Sequence, residues 1–273
     1  MSGKKYNIED LLYLMSRLRD PVDGCPWDLR QTLASIVPYT LEECYELADT
    51  IEQGDNGHLR EELGDVLFQV VFYCRIASED TLFDFTDVVH TLVDKLVSRH
   101  PHVFPDGSLT ARRGDQSISE QEVHASWEAI KQDERNAKSR TGLLADVPLA
   151  FPALVRSQKL QKRAATVGFD WDKIEDVLAK IDEELAELRE GIALGDKANQ
   201  FEEVGDLLMS VVNTARHLGV DAESALRQSN LKLEQRFAGI EQLAADQGRQ
   251  LGDMSLEEMD VLWCQVKASG QTL

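Results

Sequence analysis

One acidic signature occurs twice in this chain with identical internal spacing, and that duplication restricts the fold more than any other feature. Glu42-Glu43-Cys44-Tyr45-Glu46 precedes Glu61-Glu62-Leu63-Gly64-Asp65, and Glu183-Glu184-Leu185-Ala186-Glu187 precedes Glu202-Glu203-Val204-Gly205-Asp206. The interval from Glu46 to Glu62 equals that from Glu187 to Glu203. A single E-E-x-x-E block in an acidic chain reads as a solvated helix face, whereas its repetition marks the spacing as constrained. Residues three apart on an α-helix lie about 60° from each other and one turn along, so Glu43 and Glu46 share a face, as do Glu62 and Asp65. Gly54-Asp55-Asn56-Gly57 between the pairs is a turn signal. The resulting helical hairpin converges Glu43, Glu46, Glu62 and Asp65 on one level. Gly195-Asp196 does the same for Glu184, Glu187, Glu203 and Asp206. Carboxylates gathered in this way repel unless a cation sits among them, and an oxygen-only set suits a hard divalent ion such as Mg²⁺.

The periodicity is helical nearly throughout, which predicts an all-α fold. Leu63, Val66, Leu67, Val70, Val71 and Cys74 fall on one stripe; Leu178, Ile181, Leu185 and Leu188 form another, and Leu207, Leu208, Val211 and Val212 a third. Gly64 and Gly205 stand inside predicted helices, where glycine costs about 1 kcal/mol relative to alanine, so a close approach by the neighbouring helix is expected there. The repeat also extends beyond the acidic blocks. Gly24-Cys25-Pro26-Trp27-Asp28 matches Gly168-Phe169-Asp170-Trp171-Asp172, Lys95…Arg99 matches Lys232…Arg236, and Trp127…Lys131 matches Trp263…Lys267, always in the same order. The chain therefore reads as tandem duplicated helical-bundle domains, 1–140 and 153–273, joined by a linker at 141–152 that is rich in turn formers. A further loop, Pro105 to Ser119, belongs to the first half alone.

Lys95 with Arg99, and Lys232 with Arg236, place two cations on one helix face. Like charges there repel modestly, so an anion such as a phosphate chain would favour the arrangement, with arginine as a forked donor. Trp127 and Trp263 suit either stacking on a nucleobase or ribose or burial in the core. Trp27 and Trp171 follow turns and read as loop anchors. His100-Pro101-His102 makes a poor zinc pair, because the two imidazoles flank a proline and have no counterpart in the second half.

With 273 residues the chain can bury one large core or two modest ones. A net charge of −20 excludes a nucleic-acid surface and an anionic membrane as partners. A metal-chelated small polyanion stays compatible, because the metal offsets the carboxylates locally. Cys25, Cys44, Cys74 and Cys264 show no metal-ligand spacing and read as reduced thiols of a cytoplasmic protein. Apolar flanks on short helical hairpins predict a homodimer or higher homo-oligomer.

The combination G-C-P-W-D, Y-T-L-E-E-x-Y-E and E-L-G-D-x-L-F-Q-V-V-F in residues 8–76, continued by R-H-P-H-V-F at 99–104, W-E-x-I-K at 127–131 and G-F-D-W at 168–171, resembles MazG-type nucleoside triphosphate pyrophosphohydrolases in their two-domain form. The resemblance implies an all-α bundle of the kind shared with dimeric dUTPases and phosphoribosyl-ATP pyrophosphohydrolases. It also implies cleavage between the α- and β-phosphates of a nucleoside triphosphate, giving the monophosphate and pyrophosphate, with Mg²⁺ as cofactor and Mn²⁺ able to take its place. On that basis Glu43, Glu46, Glu62 and Asp65, and again Glu184, Glu187, Glu203 and Asp206, are metal ligands, and Glu183, Glu184, Glu187 and Glu203 are also substrate-binding residues. Glu42 and Glu183 orient water or support the ligands, with Glu183 or Glu184 as the catalytic carboxylate. Lys232 and Arg236, with Lys95 and Arg99 in the first half, hold the triphosphate, and Trp263 and Trp127 are candidate contacts to the nucleoside.

One departure separates the halves. The basic motif of the family reads N-x-K-x-x-x-R, present as Asn230-Leu231-Lys232…Arg236, but the first half has Val93 where the asparagine would fall. The second half is therefore expected to be the main active site, and the first a weaker, regulatory or chiefly structural copy. Two other readings stand beside this one: a narrower dUTP- or phosphoribosyl-ATP-directed enzyme, and a catalytically silent nucleotide-binding scaffold.

Overall fold

The computed structural model describes residues 5–112, 119, 122, 123, 126, 130 and 142–269. All regular elements among them are helices, as the periodicity predicts. The chain divides into two compact units, Met1–Glu134 and Arg135–Leu273.

In the first unit, helix α1 (Ile8–Leu18) starts at a capping box in which Asn7 and Asp10 exchange side-chain and backbone hydrogen bonds. A single turn, α2 (Pro26–Leu29), follows the Gly24-Cys25 corner. Helix α3 (Leu33–Gln53) opens at a second capping box on Thr32 and Ser35 and closes at Gly54, whose φ of 71° is the left-handed conformation that glycine adopts without strain. The chain turns through Asp55–Gly57 into α4 (Leu59–Glu79), and α3 and α4 pack as a hairpin. Asp84 caps α5 (Phe85–Arg99). Met15, Ile36, Val71, Phe72 and Ile76 form the core of this unit. Trp27 packs edge-on against Tyr39 and Phe72, at 5.6 and 6.4 Å between centroids, and so anchors its loop as expected. Arg19, only 6 % exposed, ties the same corner down: it pairs with Glu79 at 2.6 Å and donates to the carbonyls of Asp28 and Gln31.

In the second unit, residues 142–152 lie against the first helix of that unit. Val147 is buried, and Arg163 pairs with Asp146 and donates to the Leu143 carbonyl. Helix α6 (Ala153–Ala165) leads through Gly168–Asp172 into α7 (Ile174–Leu194). That helix ends at Gly195, again left-handed, with a φ of 68°. Asp196 then caps α8 (Lys197–His217) by accepting from the amides of Ala198 and Asn199. Helix α9 (Ala222–Asp246) and α10 (Leu256–Ser269) pack through Ile240, Ala244, Leu262 and Val266. The corner before α7 is anchored by a charge rather than by an aromatic ring. Asp170 accepts from Arg216 at 2.5 Å and from His217 at 2.9 Å, and these hydrogen bonds together with the Arg216 charge hold its carboxyl below the usual aspartate range despite partial burial.

The structure corrects two details. A Cβ built on Gly64 or Gly205 meets nothing within 4 Å, so no neighbouring helix of the same unit approaches either glycine as had been expected. The stripes also split. Val71, Cys74 and Val212 are buried, but Leu63, Leu67 and Val70 on α4, and Val204, Leu208 and Val211 on α8, face outward beside those glycines. Each long hairpin is thus wet on a face its sequence makes apolar.

Candidate metal centre

Each hairpin brings carboxylates together where the spacing predicts. In the first unit Glu43 from α3 meets Glu62 and Asp65 from α4, with ligand oxygens all within 4.8 Å of one another. In the second, Glu184 and Glu187 from α7 meet Glu203 from α8 within the same limit. The fourth predicted member stands just outside each trio. Glu46 and Asp206 still act on the cluster through their charge, Glu46 on Glu43 and Asp206 on Glu203.

The two centres differ in depth and in what compensates them. In the first, Glu43 and Glu62 are half-buried and Asp65 is exposed. Burial, reinforced by Asp65, Glu46 and Glu62, pushes the Glu43 carboxyl above its ordinary value, against which the Gln69 amide at 3.5 Å is a weak donor. Glu62 Oε2 is buried with no hydrogen-bond partner. In the second, Glu184 is 4 % and Glu203 8 % exposed. Burial and then Glu187 raise the Glu203 carboxyl, while Asn199, donating at 2.8 Å, opposes them. Glu183, the residue before Glu184 on α7, is exposed. It shares Lys180 with Glu184: the ammonium lies 2.7 Å from the first and 2.8 Å from the second, and the two carboxylates hold it well above the ordinary lysine range.

Lys180 and Asn199 are site residues that the acidic pattern did not reveal. Lys180 precedes Glu184 by one helical turn, which in sequence is indistinguishable from an ordinary surface pair, and Asn199 hides in the first turn of α8. The predicted basic pairs are less integrated than the carboxylates. Arg236 stacks its guanidinium over the Trp263 ring at 5.5 Å, and Lys232 is exposed one turn earlier on α9. Among the described residues, neither forms an ion pair with the carboxylates. In the first unit Lys95 is exposed and Arg99 half-buried at the end of α5. Trp127 lies outside the described residues.

The same two stretches of chain are matched by a known protein family. The MazG nucleotide pyrophosphohydrolase domain matches residues 31–104 and 173–238, the two stretches that carry the carboxylate hairpins. The chain belongs to the MazG family. It is 48 % identical over 264 residues to the nucleoside triphosphate pyrophosphohydrolase of Escherichia coli (strain K12), covering 95 % of this chain and 97 % of that protein. It is 41 % identical over 265 residues to the nucleoside triphosphate pyrophosphohydrolase/pyrophosphatase MazG of Thermotoga maritima, covering 97 % of each. Among the described residues, no helix is long and apolar enough to cross a membrane.

Proposed function

We propose that the protein is a divalent-metal-dependent nucleoside triphosphate pyrophosphohydrolase, releasing pyrophosphate and the nucleoside monophosphate by attack of water at the α-phosphorus. The observation that carries this is the pair of oxygen-only clusters within 4.8 Å on the two segments that match the family. Their donor chemistry fits Mg²⁺, with Mn²⁺ able to replace it. The orphaned Glu62 Oε2 and the near-complete burial of Glu184 and Glu203 are what sites built for a cation present without one. Glu184, Glu187, Glu203 and Asp206 would hold the metal in the second unit, and Glu43, Glu46, Glu62 and Asp65 in the first. Bound there, the ion supplies Lewis acidity toward the phosphate oxygens.

The protein's own groups do the rest. Exposed Glu183, or Glu184 next to it on α7, orients the attacking water and accepts its proton. Lys232 and Arg236 carry positive charge to the departing pyrophosphate. The Trp263 ring lies 5.5 Å from the Arg236 guanidinium and restrains it by a cation–π contact. Lys95 and Arg99 would play the same part in the first unit. The second unit is the main active site, because its carboxylates are the deeper set and its basic motif is complete, with Asn230 ahead of Lys232. The apolar faces beside Gly64 and Gly205 are the surfaces on which a homodimer or higher homo-oligomer would form.

Hydrolysis in ¹⁸O-water tests the chemistry. The label is expected in the monophosphate, and label in pyrophosphate would refute attack at the α-phosphorus.

A further inference from the structure

The second cluster carries a charge of its own that the first does not have at the matching place. Lys180 donates to Glu183 Oε1 and to Glu184 Oε1, at 2.7 and 2.8 Å. Glu184 is 4 % exposed and lies in the 4.8 Å cluster with Glu187 and Glu203, so this pair differs from a solvated helix-surface pair. An ammonium on a desolvated carboxylate is held more firmly than one in water, because removing it leaves a buried charge uncompensated. In the first unit the residue one turn before Glu43 is Tyr39, whose ring stands edge-on to Trp27 at 5.6 Å. The groups that act on Glu43 are Asp65, Glu46, Glu62 and the neutral Gln69 amide.

We propose that Lys180 is the resident counter-ion of the second cluster, and that a divalent cation must displace it from Glu184 to enter. Lys180 is thus a positioning residue: it keeps the buried carboxylates assembled in the metal-free protein and weakens their hold on free metal. The ammonium sits on Oε1 of the same Glu184 carboxylate that a metal would use, and two cations on one carboxylate repel each other. Metal and triphosphate then bind together better than metal alone, since the polyanion offsets the displaced ammonium. The first unit, with Tyr39 in that place, takes free metal without this competition. The inference rests on the metal-binding reading above.

The test uses the full chain carrying Glu43→Gln and Asp65→Asn, so that binding heat reports the second unit, titrated with Mn²⁺ in the absence of nucleotide. Lys180→Met in that background is expected to tighten Mn²⁺ binding about tenfold, while Lys180→Arg, which keeps the cation, stays within about twofold of its parent. An unchanged or weakened Kd in Lys180→Met overturns the proposal. A metal-free readout accompanies it. In EDTA, Lys180→Met should unfold at a lower temperature than its parent and Lys180→Arg should not, and a Lys180→Met protein that melts with its parent also overturns the proposal. Absence of Mn²⁺ heat in parent and variant alike would be a different failure: it removes the metal reading of the second unit, and this inference with it.

Discussion

Neutralising one carboxylate of the first cluster should stabilise the metal-free protein and destabilise the metal-bound one. Glu43→Gln keeps the shape of the side chain and an oxygen for the Gln69 amide but deletes a charge within 4.8 Å of Glu62 and Asp65. Two unit charges at that separation repel by about 0.9 kcal/mol in bulk water and about 3.5 kcal/mol at an effective dielectric of about 20. Glu43 and Glu62 are half-buried and Asp65 is exposed, so solvent screening pulls the sum toward the lower limit. Relief of about 1–2 kcal/mol follows. At roughly 2–4 °C per kcal/mol for a chain of this size, the unfolding midpoint in EDTA should rise by several degrees. Saturating Mg²⁺ should reverse the order, because wild type gains the linkage free energy of a bound ion and the variant loses a ligand. Differential scanning calorimetry of both proteins, in EDTA and in Mg²⁺, gives the four midpoints. A variant less stable than wild type in EDTA, or an equal Mg²⁺ shift in both, would refute the idea that these carboxylates are a strained cluster awaiting a cation.

Protons should compete with metal at both clusters. Glu43 and Glu203 titrate above the ordinary glutamate range, so their charged forms burden the metal-free fold increasingly as pH rises through those raised values. The Mg²⁺-induced rise in unfolding temperature should therefore be largest near neutrality and shrink as pH falls toward 5, measured by fluorescence melts across that range. Arg19→Ala should cost about 1–3 kcal/mol in urea unfolding, because it removes the buried guanidinium that donates to the Asp28 and Gln31 carbonyls and leaves Glu79 with Arg75 as its partner. Gly64→Ala should stabilise the monomeric chain by about 0.5–1 kcal/mol, since an added Cβ meets nothing within 4 Å and alanine favours the helix. That is read from melts at low protein concentration.

What the sequence made legible follows from which constraints are local. Helix period, the glycine that ends α3 and the one that ends α7, and the carboxylates placed around each turn are all short-range facts. They yield the two hairpins and the three-membered clusters. Direction across helices is not short-range. Spacing alone puts four carboxylates on one level, yet Glu46 and Asp206 stand off from the tight trios, because side-chain reach and helix rotation decide the last few ångströms. Lys180 was invisible for the same reason: a lysine one turn ahead of a glutamate becomes informative only once Glu184 is known to be buried. Gly64 and Gly205 misled in the opposite sense. A packing partner was inferred from their cost, and within each unit their neighbour is solvent.

The most direct test of the central claim is pyrophosphate release from each common nucleoside triphosphate with Mg²⁺, comparing wild type with Glu46→Gln and Glu187→Gln. The account predicts Mg²⁺-dependent release by wild type, retained in Glu46→Gln and lost in Glu187→Gln. Loss in Glu46→Gln alone would move the working site to the first unit, and no pyrophosphate from wild type on any of them would contradict the account.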